Sequence, residues 1–133
     1  HPCANYKHLQ KLWDNYMMVD RESVEVLLSF IHHHLVNHSM ISFTIQDFRV
    51  CSVPYPFVKA VSADIVKDAP IDPNAQAMCY GLCFEQACGL ETSYVNAFAK
   101  TTDKIDEDKY VPWSIQYSSD NVIEAIFFYE RKF

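Results

Sequence analysis

The chain of 133 residues contains only two glycines, Gly81 and Gly89, and this scarcity restricts what it can fold into. Glycine makes up about 7% of an average protein, because tight turns and close backbone contacts often require it. Loops that wrap a nucleotide phosphate in the GxGxxG or Walker manner are therefore excluded. Two-residue hairpin loops of the Asn-Gly type are absent as well. The sequence thus argues against a fold built around a glycine-rich phosphate loop.

Length and composition indicate one globular domain spanning residues 1–133, because half of the residues are hydrophobic and can build a core. Nine Phe, eight Tyr and two Trp make the chain rich in aromatic residues. The net charge is −6, and no cluster of Lys and Arg occurs, so nucleic acid is not expected as a partner. No apolar run is long enough to predict a membrane span.

Hydrophobic periodicity assigns the elements of the N-terminal half. Asp20 stands where an N-cap would begin the second helix, whose apolar residues recur at helical spacing. The apolar alternation after residue 41 shifts phase at Phe48, which we interpret as a strand with a bulge near Asp47. The predicted elements are helices over 6–18 and 20–37, a strand over 41–50, an extended connection to residue 57, and a short helix or a competing strand over 57–66.

In the C-terminal half, Asp72-Pro73 has the pattern of a helix start, and Gly89 has that of a helix end. The segment from Val122 to Tyr129 is apolar apart from Glu124, which is typical of a central strand covered on both faces. We predict helices over 72–88 and 90–100, a loop over 101–109, and strands over 110–118 and 121–133. The fold class is therefore α+β, with N-terminal helices packed on a small mixed or antiparallel sheet that ends in a C-terminal β-hairpin.

Five cysteines, together with a glycosylation sequon at Asn37, favour a secreted or lumenal protein with structural disulfides. Cys79, Cys83 and Cys88 form a cluster within ten positions, for which a redox or metal role is the alternative, although the spacing is not that of a CxxC pair. We predict that at least one cysteine of the cluster pairs with Cys3 or Cys51, and a Cys83–Cys88 bond is the main competitor. The disulfide candidates are Cys3, Cys51, Cys79, Cys83 and Cys88.

The histidines of the segment HHHLVNH include one pair, His34 and His38, at the i, i+4 spacing that lets two imidazoles share a metal ion on a helix. No HExxH pattern accompanies them. We interpret them as polar residues near a helix end, where a cationic side chain complements the helix dipole. No metal and no other cofactor is predicted.

Residues 83–119, CFEQACGLETSYVNAFAKTTDKIDEDKYVPWSIQYSS, resemble the C-terminal part of the gamma-interferon-inducible lysosomal thiol reductases. The shared features are a cysteine shortly before Gly-Leu, an alanine-rich helix, and Tyr-Val-Pro-Trp leading into a strand. The resemblance implies a thioredoxin-like fold in which Pro112 takes the place of the cis-proline. The redox CxxC of that family is absent, because CSVP keeps only Cys51 and has Pro54 at the second thiol position.

No complete catalytic set occurs, so we expect a secreted, disulfide-stabilised protein that binds a protein or small-molecule ligand without catalysis. Aromatic side chains dominate interface hot spots, which makes Trp13, Tyr55 and Trp113 the candidate anchors. The alternative is a divergent thioredoxin-like thiol-disulfide oxidoreductase. In that interpretation Cys51 is the nucleophile and Pro112 lies opposite it.

Overall fold

The α+β class is confirmed in a computed structural model, which describes residues 18–36, 45–65, 69–85 and 91–131. Within these ranges the α-helices are α1 (Val24–Ile31), α2 (Ile45–Ser52) and α3 (Glu91–Thr102). A 3₁₀ turn, Arg21–Ser23, precedes α1, and a π-helical turn, His32–Val36, follows it. The strands are β1 (Met18–Val19), β2 (Phe57–Asp64), β3 (Ala77–Phe84), β4 (Trp113–Tyr117) and β5 (Val122–Tyr129).

The five strands form one mixed sheet in the order β1-β2-β5-β3-β4. β5 pairs antiparallel with both β2 and β3, while β4 pairs parallel with β3. The last two strands of the chain run in opposite directions and are joined by residues 118–121, with β3 between them in the sheet. The prediction that the segment from Val122 to Tyr129 is a central strand, covered on both faces, is confirmed.

The sheet has a core on each of its faces. On one face Leu27 and Phe30 of α1 and Phe48 of α2 pack against β2, β3 and β5. On the other face Phe98 of α3 packs against Tyr80 of β3, with ring centroids 5.1 Å apart. We call the first face the α1/α2 face and the second the α3 face. The sheet is therefore the middle of three layers.

The segment predicted as a strand over 41–50 is wrong where the structure describes it, because Ile45–Ser52 is the helix α2. Phe48, Cys51 and Ser52 are buried, and their spacing of three and four residues is the helical period. The change in apolar spacing at Phe48, which we interpreted as a bulge in a strand, instead reflects the helical spacing of α2.

The helix predicted over 72–88 is also wrong, since residues 77–84 form β3. Every residue of β3 is buried, so the strand has no polar face and lacks the alternation that identifies a half-buried strand. Asp72 does not begin a helix. Its Oδ1 accepts a hydrogen bond from the Asn74 backbone N–H at 2.9 Å, and its Oδ2 accepts one from the Tyr129 hydroxyl. Asp72 thus anchors a turn against the end of β5.

The remaining elements follow the sequence more closely. The helix predicted over 20–37 is present as the 3₁₀ turn, α1 and the π turn, although the Asp20 side chain makes no capping hydrogen bond. Residues 57–64 take the competing form, a strand, and α3 confirms the helix predicted over 90–100. The helix predicted over 6–18 lies outside the described residues, except that Met18 begins β1. No helix among the described residues has both the length and the apolar character needed to cross a bilayer.

Candidate functional site

A group of polar side chains is buried on the α1/α2 face, beneath the π turn that follows α1. His33 and His34 reach it from that turn, and the sheet contributes Cys83 of β3, Ser114 of β4 and Glu124 of β5. These five residues come from four separate segments of the chain, and they meet because β3, β4 and β5 are neighbours or near neighbours in the sheet. π-Helical turns are rare and occur often at functional sites.

Gly81 explains how the His34 ring can lie against the sheet. An added Cβ at Gly81 would overlap the imidazole of His34, whose Nε2 and Cδ2 occupy the space above that backbone. Gly81 pairs with Ser114 across β3 and β4, and Ser114 Oγ lies 2.7 Å from His34 Nδ1. One of the two glycines in the chain is therefore required for a buried histidine to approach the backbone closely.

His34 is neutral at physiological pH. Burial lowers the pKa of its imidazole to about 3, and the neighbouring His33 acts in the same direction. A neutral imidazole has one donor nitrogen and one acceptor nitrogen. The pair that it forms with Ser114 is fully buried.

Cys83 keeps its proton for a related reason. Burial raises the pKa of its thiol to about 12, with smaller contributions from the carboxylates of Glu124 and Asp120. Its Sγ lies 3.5 Å from His34 Nε2, so the protonated thiol can donate to that nitrogen. The proton of His34 is then on Nδ1, where it is donated to Ser114 Oγ.

His33 and Glu124 form the part of the group that reaches solvent. Their Nδ1 and Oε1 atoms lie 3.1 Å apart, and the His33 side chain is 17% exposed while that of Glu124 is 3% exposed. Ser29 Oγ also lies 3.3 Å from His33 Nδ1. Both His33 and Glu124 line an open cleft of about 440 Å³, together with Asp120 and Asn121 from the turn before β5.

The arrangement does not suit nucleophilic catalysis. Ser114, His34 and Cys83 are all buried, and none of them lines the cleft. A thiol with a pKa of about 12 supplies almost no thiolate at neutral pH, and a histidine with a pKa of about 3 is a poor general base. Ser114, His34 and Cys83 therefore lack both the solvent access and the basicity that nucleophilic catalysis requires.

Three of the side chains are arranged as metal ligands could be. His33, Cys83 and Glu124 each offer one ligand atom, and these atoms all lie within 4.8 Å of one another. Among the described residues, it is the one group of three or more His, Cys, Asp or Glu side chains whose ligand atoms lie this close together. We call it the His33–Cys83–Glu124 cluster.

The structure places the other candidate residues as follows. Cys51, Cys79 and Cys83 are free thiols, so the predicted disulfides do not include them. Tyr55 packs partly buried at the edge of the core on the α1/α2 face, and Trp113 packs on the α3 face with its ring centroid 5.3 Å from that of Phe98. Pro112 precedes β4, and its carbonyl oxygen accepts a hydrogen bond from the Tyr80 N–H at 3.1 Å. Cys3, Trp13, Asn37, His38 and Cys88 lie outside the described residues.

The sequence-based analysis missed the partners of His34. His34 is buried and neutral, with Ser114 and Cys83 as its neighbours, so the expectation of a cationic side chain near a helix end is wrong for this residue. The available signal was Glu124, the one charged residue in an otherwise apolar strand, because a buried carboxylate requires a partner. No local pattern indicated that this partner would be His33.

No family model and no curated protein sequence matches the chain. Solved structures do match: a mutant form of FtsZ from M. jannaschii has a TM-score of 0.54 at 9% identity, covering 78% of this chain and 38% of that one. A FtsZ dimer from M. jannaschii has a TM-score of 0.51 at 13% identity, covering 78% of this chain and 34% of that one. The chain therefore shares a fold with FtsZ and spans a little over a third of its length. The predicted relationship of residues 83–119 to the thiol reductases is not addressed by these matches and stays a prediction.

These findings correct the predicted function and localisation. The chain is not the secreted, disulfide-stabilised binding protein that we expected, because the described cysteines are free thiols and the fold is shared with FtsZ. The assignment to a secreted or lumenal compartment is wrong for the same reasons. The alternative, a thioredoxin-like oxidoreductase, is corrected by the same fold match; Cys51, its proposed nucleophile, is buried, and burial together with Asp47 raises the pKa of its thiol to about 12.

Proposed function

We propose that this chain is a self-associating domain whose partner is a second copy of itself. The observation that supports this proposal is the fold shared over 78% of the chain with a FtsZ dimer. Dimerisation belongs to that protein, of which the chain covers 34%, and we extend it here to this chain. The two glycines leave no loop that could wrap a phosphate in the Walker or GxGxxG manner, so we propose self-association alone for this region.

The outer surface of the layer formed by α1 and α2 is the contact surface that we propose. Val24 and Leu28 are exposed on α1, one helical turn apart. Val50, on α2, and Val53, just after it, are exposed in the same way. The Phe30 and Phe48 ring centroids are 6.5 Å apart beneath this surface, so the two helices lie side by side. Exposed aliphatic side chains on adjacent helices favour a protein contact.

Charge supports a second copy as the occupant of this surface. Glu22 and Glu25 are exposed in or beside the first turn of α1, whereas Arg49 of α2 lines a shallow groove of about 380 Å³ with Val50 and Val53. A two-fold contact presents the same patch from both copies, so α1 of one copy can face α2 of the other. Acidic and basic side chains then meet at the rim. The net charge of −6 also favours a protein over a nucleic acid.

The edges of the sheet are less suited to this contact. β1 has two residues and β4 has five, and Pro112 directly precedes β4. Short edge strands and prolines beside them are features that hinder pairing between chains. We therefore assign self-association to the helical layer.

Sedimentation velocity over a range of protein concentrations tests the proposal. We expect a reversible monomer–dimer equilibrium, with the dimer fraction rising with concentration. Leu28→Lys and Val53→Lys, both on the proposed surface, should weaken dimerisation by about tenfold or more, because each places an uncompensated charge in an apolar contact.

The matched control is Val61→Lys. Val61 is 39% exposed on β2, compared with 44% for Leu28, and belongs to neither helix. It should leave the dimer unchanged. A protein that is monomeric at every concentration would refute the proposed function, and a dimer that is weakened equally by all three variants would refute the surface.

A further inference from the structure

We infer that the His33–Cys83–Glu124 cluster binds a divalent transition metal, with Zn²⁺ as the best match to its ligands. Thiolate, imidazole and carboxylate together suit zinc, whereas Mg²⁺ and Ca²⁺ prefer sets made of oxygen alone. This inference does not depend on self-association, because no residue of the cluster belongs to the proposed contact surface, and His33 and Glu124 line a different cleft.

The distances fit a tetrahedral ion after a small adjustment. Bonds of about 2.0–2.3 Å set neighbouring ligand atoms about 3.3–3.8 Å apart. His33 Nδ1 and Glu124 Oε1 are 3.1 Å apart, and Cys83 Sγ lies within 4.8 Å of both. If Cys83 Sγ moves by roughly 1 Å toward the other two atoms, its separations from them fall in the range that a tetrahedral zinc site requires.

Charge around the cluster favours a cation. Glu124 is buried with its carboxylate within 4.8 Å of Cys83 Sγ, and Asp120 lines the same cleft as Glu124. Without a metal ion, a proton must lie between His33 Nδ1 and Glu124 Oε1, because two acceptor atoms 3.1 Å apart repel each other. A metal ion can take the place of that proton and bind both atoms.

The surroundings of Cys83 are able to support a thiolate. Once the thiol loses its proton, the Nε2–H tautomer of His34 can donate to Sγ, 3.5 Å away, and the Ser114 hydroxyl can donate to His34 Nδ1. This change of tautomer, in which the His34 proton moves from Nδ1 to Nε2, leaves the charge of His34 unchanged because the imidazole is neutral in both tautomers. Hydrogen bonds of this kind orient metal ligands and affect metal affinity.

Two features leave room for a fourth ligand. His33 and Glu124 line the open cleft, so a water molecule can reach the metal from solvent. Gln116 pairs with Cys83 across β3 and β4, and its buried Oε1 has no hydrogen-bond partner among the residues that the structure describes. A buried acceptor of this kind requires a donor, which a metal-bound water would supply. The site thus has three protein ligands and one open position.

Cobalt provides the test, because a thiolate bound to Co²⁺ gives a charge-transfer absorption that imidazole and carboxylate do not give. Protein freed of metal with a chelator is titrated with Co²⁺ and then with Zn²⁺. We expect saturation at one equivalent, displacement of cobalt by zinc, and release of at least one proton to the buffer as Cys83 ionises. Cys83→Ala should abolish the absorption, and His33→Gln or Glu124→Gln should weaken binding at least tenfold.

Two matched controls are available. Cys79→Ala removes a buried thiol from the same strand and the same face, and His32→Gln removes the adjacent exposed histidine. Neither should alter binding. Far-UV circular dichroism checks the folding of each variant, and His33→Gln, at a half-buried position, decides the result if Cys83→Ala does not fold. The inference is refuted if the wild-type protein gives no thiolate–cobalt absorption, or if folded Cys83→Ala or His33→Gln binds as the wild type does.

Discussion

Gly81 contributes to stability because the absence of a side chain at this position leaves room for the His34 ring. The His34 ring occupies the space in which a Cβ would lie, while Ser114 holds the ring in place with a 2.7 Å hydrogen bond. We therefore expect Gly81→Ala to lower the free energy of unfolding by about 1–3 kcal/mol, because either the ring or the strand must move. Urea denaturation at neutral pH measures this change.

The same clash predicts a coupling between the two positions. In the His34→Ala background the ring is gone, so Gly81→Ala should cost much less than it does in the wild-type protein. The coupling free energy from the double-mutant cycle should be about 1–3 kcal/mol. Additive effects of the two substitutions would show that the ring does not limit what position 81 can hold.

At the scale of elements, β5 is the strand to which the other parts of the fold attach. It pairs with β2 and β3 along both sides, and on the α1/α2 face its Phe128 packs against Phe48 of α2 with ring centroids 5.4 Å apart. Phe128→Ala should destabilise the protein by about 3–5 kcal/mol, since it leaves a cavity between the helix and the sheet. Phe128→Leu should cost less because it fills part of that cavity.

Chemical denaturation measures the free energy of unfolding of both Phe128 variants, with Val61→Ala as the control. Val61 lies on the neighbouring strand and is exposed, so its truncation should change the free energy of unfolding by no more than about 0.5 kcal/mol. Equal losses for Phe128→Ala and Val61→Ala would contradict the assignment of β5 as the centre of the packing.

The whole molecule should lose stability at alkaline pH. Burial raises the pKa of Cys51 to about 12 and that of Cys79 well above its ordinary value of 9.0. Between pH 9 and 12 the unfolded chain therefore releases thiol protons that the folded chain retains. The stabilisation is complete below pH 9, and the free energy of unfolding falls by up to about 1.4 kcal/mol per pH unit for each thiol as the pH rises.

Comparison with Cys51→Ala isolates one part of this dependence. With chelator present, the free energy of unfolding is measured against pH for the wild type and the variant. Above pH 9 the two slopes should differ by up to about 1.4 kcal/mol per pH unit, the contribution of one thiol. Identical slopes would mean that Cys51 ionises in the folded state as readily as in the unfolded chain. Such a result would also restore Cys51 as a reactive cysteine.

The sequence alone determined two kinds of element: helices with one apolar face, and a strand that is a nearly continuous apolar run. The helix that contains α1, the helix α3 and the central strand β5 were predictable, because the two helices have apolar residues at helical spacing and β5 is a nearly continuous apolar run of eight residues. The α+β class follows from these elements.

Only the tertiary structure decided β3, α2 and the polar cluster. β3 is buried on both faces, and its Cys79 and Cys83, four residues apart, share a face in a helix and in a strand alike, so local spacing could not separate the two. His33 meets Glu124 across 91 residues, and His34 meets Cys83 across 49. Such contacts depend on strand order, because the placement of β5 between β2 and β3 is what brings these side chains beneath one helical turn.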